Sequence, residues 1–225
     1  MGMSENPDDA RGEPVAESSL PPESTSLDEL VEAELEDAEN VLVIGPMSRS
    51  RDEATCGSFF RAAPVSERNV LFVSLTQSAD ERMAVLRAHS DDLPPKVSIV
   101  SGTDGYDSET TQQAGETSIA VDTISDPSDL PKLGITISRA VSSWTEDGRG
   151  AVVCFHSLTA LLQYVDRQRV FRFLHVLQER LGSVDAVTHY HMDSEAHDQQ
   201  TLATVRPLFD AVVEVDPDGG ADLVG

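Results

Sequence analysis

Residues 69–75 read NVLFVSL, apolar at nearly every position instead of at alternate ones. A strand with that pattern is covered on both faces, which is the condition of a parallel sheet layered between helices. Comparable runs at 41–44, 97–100 and 151–155 predict three more strands of this kind. A shorter one at 185–188 predicts a fifth strand in chain order, and 211–215 a sixth, antiparallel or at an edge. Helical spacing fills the gaps. Met83, Val85 and Leu86 mark a helix over 78–88, and Leu133, Ile137, Val141 and Trp144 one over 131–144. Asp166 is placed to cap a long helix whose Val170, Leu174, Leu177 and Leu181 recur every three to four residues until Gly182. Strands alternating with helices of this length define an α/β three-layer αβα sandwich with a mainly parallel sheet. Residues 101–123, rich in Gly, Thr, Ser and Asp, read as a mobile loop holding at most a short strand at 119–121.

The domain therefore spans about 40–217, followed by a C-terminal tail at 218–225. Before it, residues 1–25 form an acidic arm whose prolines and polar filler predict disorder. Residues 26–39 predict an amphipathic helix: Ser26 and Glu29 fit a capping box, with Leu27, Leu30, Val31 and Leu35 along one side. The chain carries 40 acidic and 16 basic residues, a formal charge of -24, and its only lysines are Lys96 and Lys132. Such a balance argues against direct nucleic-acid binding, which needs clustered positive charge. It suits solubility in a salt-rich, halophilic cytoplasm, where screening shortens the reach of repulsion. No apolar run approaches membrane-spanning length and the N-terminus is acidic, so the expectation is a cytoplasmic protein without a membrane contact. Cys56 and Cys154 lie in apolar contexts outside any C-x-x-C pair and read as reduced core residues.

The chemistry-bearing stretch is 40–60, NVLVIGPMSRSRDEATCGSFF. It predicts a buried strand, a turn opened by Gly45 and Pro46, and a helix from about Asp52, the frame of a phosphate-binding loop. Laid on the pattern G-x-x-x-x-G-K-[ST], Gly45 keeps the first glycine, while Ser50, Arg51 and Asp52 replace the Gly, Lys and hydroxyl residue. Ser50 adds a Cβ where backbone must wrap phosphate. Arg51 is a broad planar fork where a compact ammonium is wanted. Asp52 puts a carboxylate where a metal-binding hydroxyl belongs; it would cap the helix and repel phosphate.

With these segments in order, residues 38–217 resemble the KaiC-like branch of the RecA-type P-loop ATPases, most nearly an uncharacterised haloarchaeal offshoot. The resemblance implies a pair of glutamates after the second strand, where Thr76 and Gln77 stand. It implies a metal-binding aspartate before Ser-Leu-Thr, where His156 precedes Ser157, Leu158 and Thr159. It is carried further by Thr188-His189 after a strand and by 208–215, LFDAVVEV. Phosphoryl transfer needs a phosphate clamp, a metal ligand and a group that orients water. All three are replaced here, so the resemblance implies a pseudo-ATPase with no cofactor, acting as a regulatory or interaction module with a protein partner or with other copies of itself.

Two alternatives stand beside that expectation. One is an unorthodox ATPase in which Arg51 binds the phosphates of ATP with Mg²⁺. The other is a metal-dependent hydrolase built on His189, His191 and His197, since HYHMD over 189–193 resembles the start of a metallo-β-lactamase motif. The second lacks the following histidine and has too little chain left for that fold, so the expectation is no metal. Arg167, Arg169, Arg172 and Arg180 form a basic stretch on one helix, fit either for solvated pairing or for an acidic partner.

Overall fold

A computed structural model describes residues 25–224, apart from 36, 47, 63–64, 91, 104–107 and 146–147. The acidic arm lies outside these residues up to position 24. The elements in chain order are β1 (Thr25–Ser26), α1 (Leu27–Glu34), β2 (Asn40–Gly45), α2 (Arg49–Ala62), β3 (Asn69–Ser74), α3 (Ala79–His89) and β4 (Lys96–Ser101). Then come β5 (Ser108–Ala114), β6 (Thr117–Thr123), α4 (Leu130–Ser142), β7 (Ala151–His156), α5 (Leu158–Tyr164) and α6 (Arg167–Gly182). The chain finishes with β8 (Ala186–Asp193), α7 (Gln199–Val205), a 3-10 turn (Arg206–Leu208), β9 (Ala211–Val215) and β10 (Gly220–Leu223). One sheet runs in the order β1-β10-β9-β2-β8-β7-β3-β4-β6-β5. The strands from β9 to β6 are parallel throughout, and only the two margins are antiparallel.

The pleat divides the apolar strands between two cores. Leu42, Ile44, Leu71, Val73, Val153, Phe155, Tyr190 and Met192 face one way, under α4, α5, α6 and α7. Val41, Val43, Val70, Phe72, Val152 and Cys154 face the other, under α1, α2 and α3. This is the three-layer αβα sandwich that the apolar runs require.

Capping chemistry sets several helix starts. Ser26 and Glu29 exchange backbone bonds at α1, as Ser78 and Glu81 do at α3. The Asp166 side chain accepts from the Arg169 N–H at α6.

Five details differ from the sequence expectations. Residues 108–123 form the β5–β6 hairpin, turned at Gly115 (φ 64°). Its outer strand is exposed and polar because it closes the sheet edge, so its composition imitates a loop. Arg139 of α4 pins the hairpin through ion pairs to Asp122 and Glu109. β9 is parallel and internal, because residues 216–224 reverse and cover it. That reversal makes the expected C-terminal tail into β10: the Asp216 carboxylate accepts the N–H groups of Asp218 and Gly220, and Gly219 supplies φ 98°. β8 runs on to Asp193 because β2 pairs with it that far, with Gly45 opposite Asp193, while β7 flanks it up to Tyr190. Finally, α2 begins at Arg49 and not near Asp52.

Candidate functional site

Asp52 lies in the first turn of α2, and its buried carboxylate meets His156 and His191 instead of capping the helix. The stripe Asp52, Cys56, Phe59 follows helical spacing and is buried. It faces the sheet where β7 and β8 lie side by side. Along β7 the same face carries Val152, Cys154 and His156; along β8 it carries Val187, His189 and His191, with Cys154 opposite His189. Alternation on two neighbouring strands and one helix stripe thus gathers three histidines, two cysteines and an aspartate behind α2.

The contacts form a chain. Thr76 Oγ1 lies 3.1 Å from His156 Nδ1. His156 Nε2 is 2.9 Å from Asp52 Oδ2, and His191 Nδ1 is 3.7 Å from Asp52 Oδ1. His191 Nε2 lies 3.7 Å from Cys56 Sγ and 3.6 Å from Cys154 Sγ, and the two sulfurs are 3.1 Å apart as free thiols. His189 Nε2 is 3.5 Å from Cys56 Sγ, and its ring stacks on Phe59 at 4.3 Å between centroids. Arg82 of α3, fully buried, brings Nη1 to 4.0 Å from each sulfur.

Electrostatics follow from this enclosure. Burial alone would raise the Asp52 carboxyl, but the contacts with His156 and His191 outweigh it and hold it at about 2. Burial opposes charge on His191, yet Cys154 and Asp52 prevail and raise it to about 9. Burial lowers His156 and His189. It also pushes the Cys56 thiol up; Cys154 goes down against burial, drawn by Cys56 and by the charges of His189 and His191.

Of the residues singled out in the sequence, Asp52, His156 and Thr76 come together at the strand ends. Gln77 closes the turn next to them: its N–H donates to Ser74 Oγ, which donates to its carbonyl. Gly45 meets a different demand. A Cβ there would come to 2.8 Å from the Val215 carbonyl, so the residue is fixed by packing against β9. Ser50 sits 3.4 Å from Ser48 Oγ at the surface. The Arg51 guanidinium donates to the carbonyls of Asp216 (2.5 Å) and Pro217, away from the turn it was expected to serve. His197 is separate from the other histidines, 2.9 Å from Thr159 Oγ1, so the triad His189, His191, His197 does not exist as a ligand set. Cys56 and Cys154 are the buried, reduced residues expected from the sequence, but their contact with each other and with Arg82 was not foreseen. The two cysteines are 98 positions apart, and only the strand order puts them in contact.

Between Gly45, Pro46, Arg51, Asp52, Thr55 and His191 lies a cavity of about 20 Å³. That is room for about one water molecule.

The fold is that of the RecA-like ATPases. A prototypical ATPase from the type III secretion system of pathogenic bacteria superposes with a TM-score of 0.51 at 12% identity, over 80% of this chain and 51% of that one. This chain thus spans about half the length of the secretion ATPase. A Pyrococcus horikoshii OT3 protein gives 0.54 at 14% identity, over 88% and 91%. The flagellar accessory protein FlaH of Methanocaldococcus jannaschii gives 0.49 at 12%, over 78% and 70%. Residues 38–215 match a family of unknown function, DUF7504, and the chain belongs to that family. No curated protein matches.

Proposed function

We propose that this chain is a non-catalytic RecA-like module that acts through protein contacts in a salt-rich cytoplasm. The observation that carries the reading is the filled seat. Asp52 occupies the position of the metal-binding hydroxyl and spends its charge on His156 and His191. The cavity left beside it, about 20 Å³, is far too small for phosphate groups and a hydrated Mg²⁺. Thr76 and Gln77 offer no carboxylate to orient water, and the Arg51 guanidinium is engaged by the carbonyls of Asp216 and Pro217. The ATPase alternative therefore lacks its phosphate ligand. Titration calorimetry with ATP and Mg²⁺ in molar KCl tests the reading. No binding heat is expected; micromolar affinity with turnover overturns it.

The surface this reading offers to a partner is a groove of about 580 Å³ between α4 and α6. Its floor includes Leu130, Phe173 and Leu177, with Ile135 and Val176 exposed, and Arg169, Arg172 and Arg180 stand along it. An apolar floor beside guanidiniums fits an acidic-flanked apolar segment of another protein. A two-fold pairing of groove on groove would set arginine against arginine, which disfavours a second copy. A partner bound by the wild type and lost in the double variant Ile135→Glu, Val176→Glu is the expected result. Retention by that variant, or loss of a dimer in its place, overturns this assignment.

A further inference from the structure

We propose that Cys56, Cys154, His189 and His191 bind one Zn²⁺ ion in a closed tetrahedral site between α2 and the sheet. The inference stands whether or not the chain binds nucleotide. The four ligand atoms all lie within 4.8 Å of one another, and all four residues are buried. A zinc ion with bonds of about 2.3 Å to sulfur and 2.0–2.1 Å to nitrogen spaces its ligands about 3.5 Å apart for S–N edges and about 3.8 Å for S–S. Three of the four S–N distances here are 3.5, 3.6 and 3.7 Å, and the fourth, Cys154 to His189, lies within 4.8 Å. The sulfurs, at 3.1 Å, need to part by about 0.7 Å to reach that S–S edge. Two thiolates and two imidazoles are soft and borderline donors, the set that selects zinc over magnesium or calcium.

The surroundings fit the same ion. His191 binds through Nε2 and turns Nδ1 toward Asp52 at 3.7 Å, the carboxylate–histidine–zinc order that fixes a ligating ring. Phe59 stacks on His189 and fixes the second ring. Arg82 reaches both sulfurs with Nη1 while its Nε and Nη2 have no partner among the described residues. A buried guanidinium whose nearest partners are two uncoordinated sulfurs at 4.0 Å is poorly compensated; facing two zinc-bound thiolates it gains charge-assisted contacts. In the loaded site the thiolates offset the zinc and Arg82 offsets Asp52, so the enclosed group is neutral. The bound state has two thiolates and two neutral imidazoles, so the protons that Cys56 and His191, or the two thiols, carry before binding pass to solvent. Four protein ligands leave no open position, so the ion is structural and not hydrolytic. A disulfide would use the two sulfurs but leave the imidazoles and Arg82 without a role.

The test uses the full chain, purified reduced from zinc-supplied cells, with metal content measured by elemental mass spectrometry. About one zinc per chain is expected. Replacement by Co²⁺ is expected to give thiolate-to-cobalt charge-transfer absorption and the d–d bands of a tetrahedral ion. Cys154→Ser should lose the metal and the charge-transfer intensity; His197→Gln, outside the cluster, should keep both. If Cys154→Ser does not fold, the wild-type cobalt spectrum and the protection of both thiols from alkylation decide alone. Reduced wild type that holds no metal and shows no charge-transfer band with added Co²⁺ overturns the site. So does a metal retained by a folded Cys154→Ser variant, or an isolated chain whose cysteines form a disulfide and take up no metal after reduction.

Discussion

Asp52 joins the two halves of the buried cluster, since one oxygen meets His156 and the other faces His191. Removing its charge while keeping its shape separates these roles. With the zinc site as proposed, Asp52→Asn no longer orients and polarises His191. Zinc affinity should fall about 10–100-fold, the usual cost of an outer-shell partner, with stoichiometry at saturation unchanged. Competition with a chromogenic chelator reads this directly, and an unchanged affinity would show that Asp52 serves packing alone. Gly45 invites a second substitution, because it lies where a nucleotide-binding reading and a packing reading disagree. A methyl group there presses on the Val215 carbonyl at 2.8 Å, and backbone cannot swing aside as a side chain does. Gly45→Ala should lose about 1–3 kcal/mol in denaturant unfolding. A neutral result would mean that β9 yields at that point. The residue types alone set Asp52 apart from the phosphate-loop pattern. They did not say what it served, because a helix-start carboxylate reads as a cap until the strand histidines beside it are known.

At the level of elements, the legible part was whatever repeats with a fixed period. Runs such as 69–75 and 151–155 fixed both the strands and their two covered faces, and Val170 to Leu181 fixed α6. The stripe Asp52, Cys56, Phe59 and the alternation Cys154, His156 and His189, His191 were also visible as local patterns. Which strand lies next to which is not local information, and the site is a product of β7 pairing with β8. The β5–β6 hairpin and β10 were hidden for another reason. Margin strands bury little, so their polar composition matches that of loops. The C-terminal strand nonetheless has a structural task. It pairs with β9 and with β1, buries Ala221, and the turn before it supplies both carbonyls that hold Arg51. Ending the chain at Val215 removes these bonds and bares the β9 edge. A fall in the thermal midpoint of roughly 5–10 °C is expected from losing several hydrogen bonds in a domain of this size. Light scattering should also show new association through the uncovered strand. A midpoint unmoved by the truncation would show β10 to be an ornament on a self-sufficient sheet.

For the whole molecule the dominant quantity is the charge of -24, and it predicts how stability depends on salt. No helix among the described residues is long and apolar enough to cross a membrane. The acids repel one another across a compact surface, and unfolding relieves that repulsion by spreading them apart. The repulsion is screened over about 10 Å at 0.1 M salt and about 3 Å at 1 M. Raising KCl from 0.1 to 1 M should therefore raise the thermal midpoint, with most of the gain reached before 1 M, where the screening length is already shorter than the spacing of surface charges. Salts that strengthen apolar burial by exclusion from the surface act differently, because their effect continues to grow with concentration. Comparing KCl with potassium sulfate at equal ionic strength separates the two causes. Charge removal supplies a further check: exposed Glu32→Gln, Glu34→Gln and Asp218→Asn together should raise the midpoint at 0.1 M and do little at 1 M. A midpoint that does not move between 0.1 and 1 M KCl would mean that self-repulsion is not what limits this fold, and the proposal of a salt-rich cytoplasm would lose its physical basis.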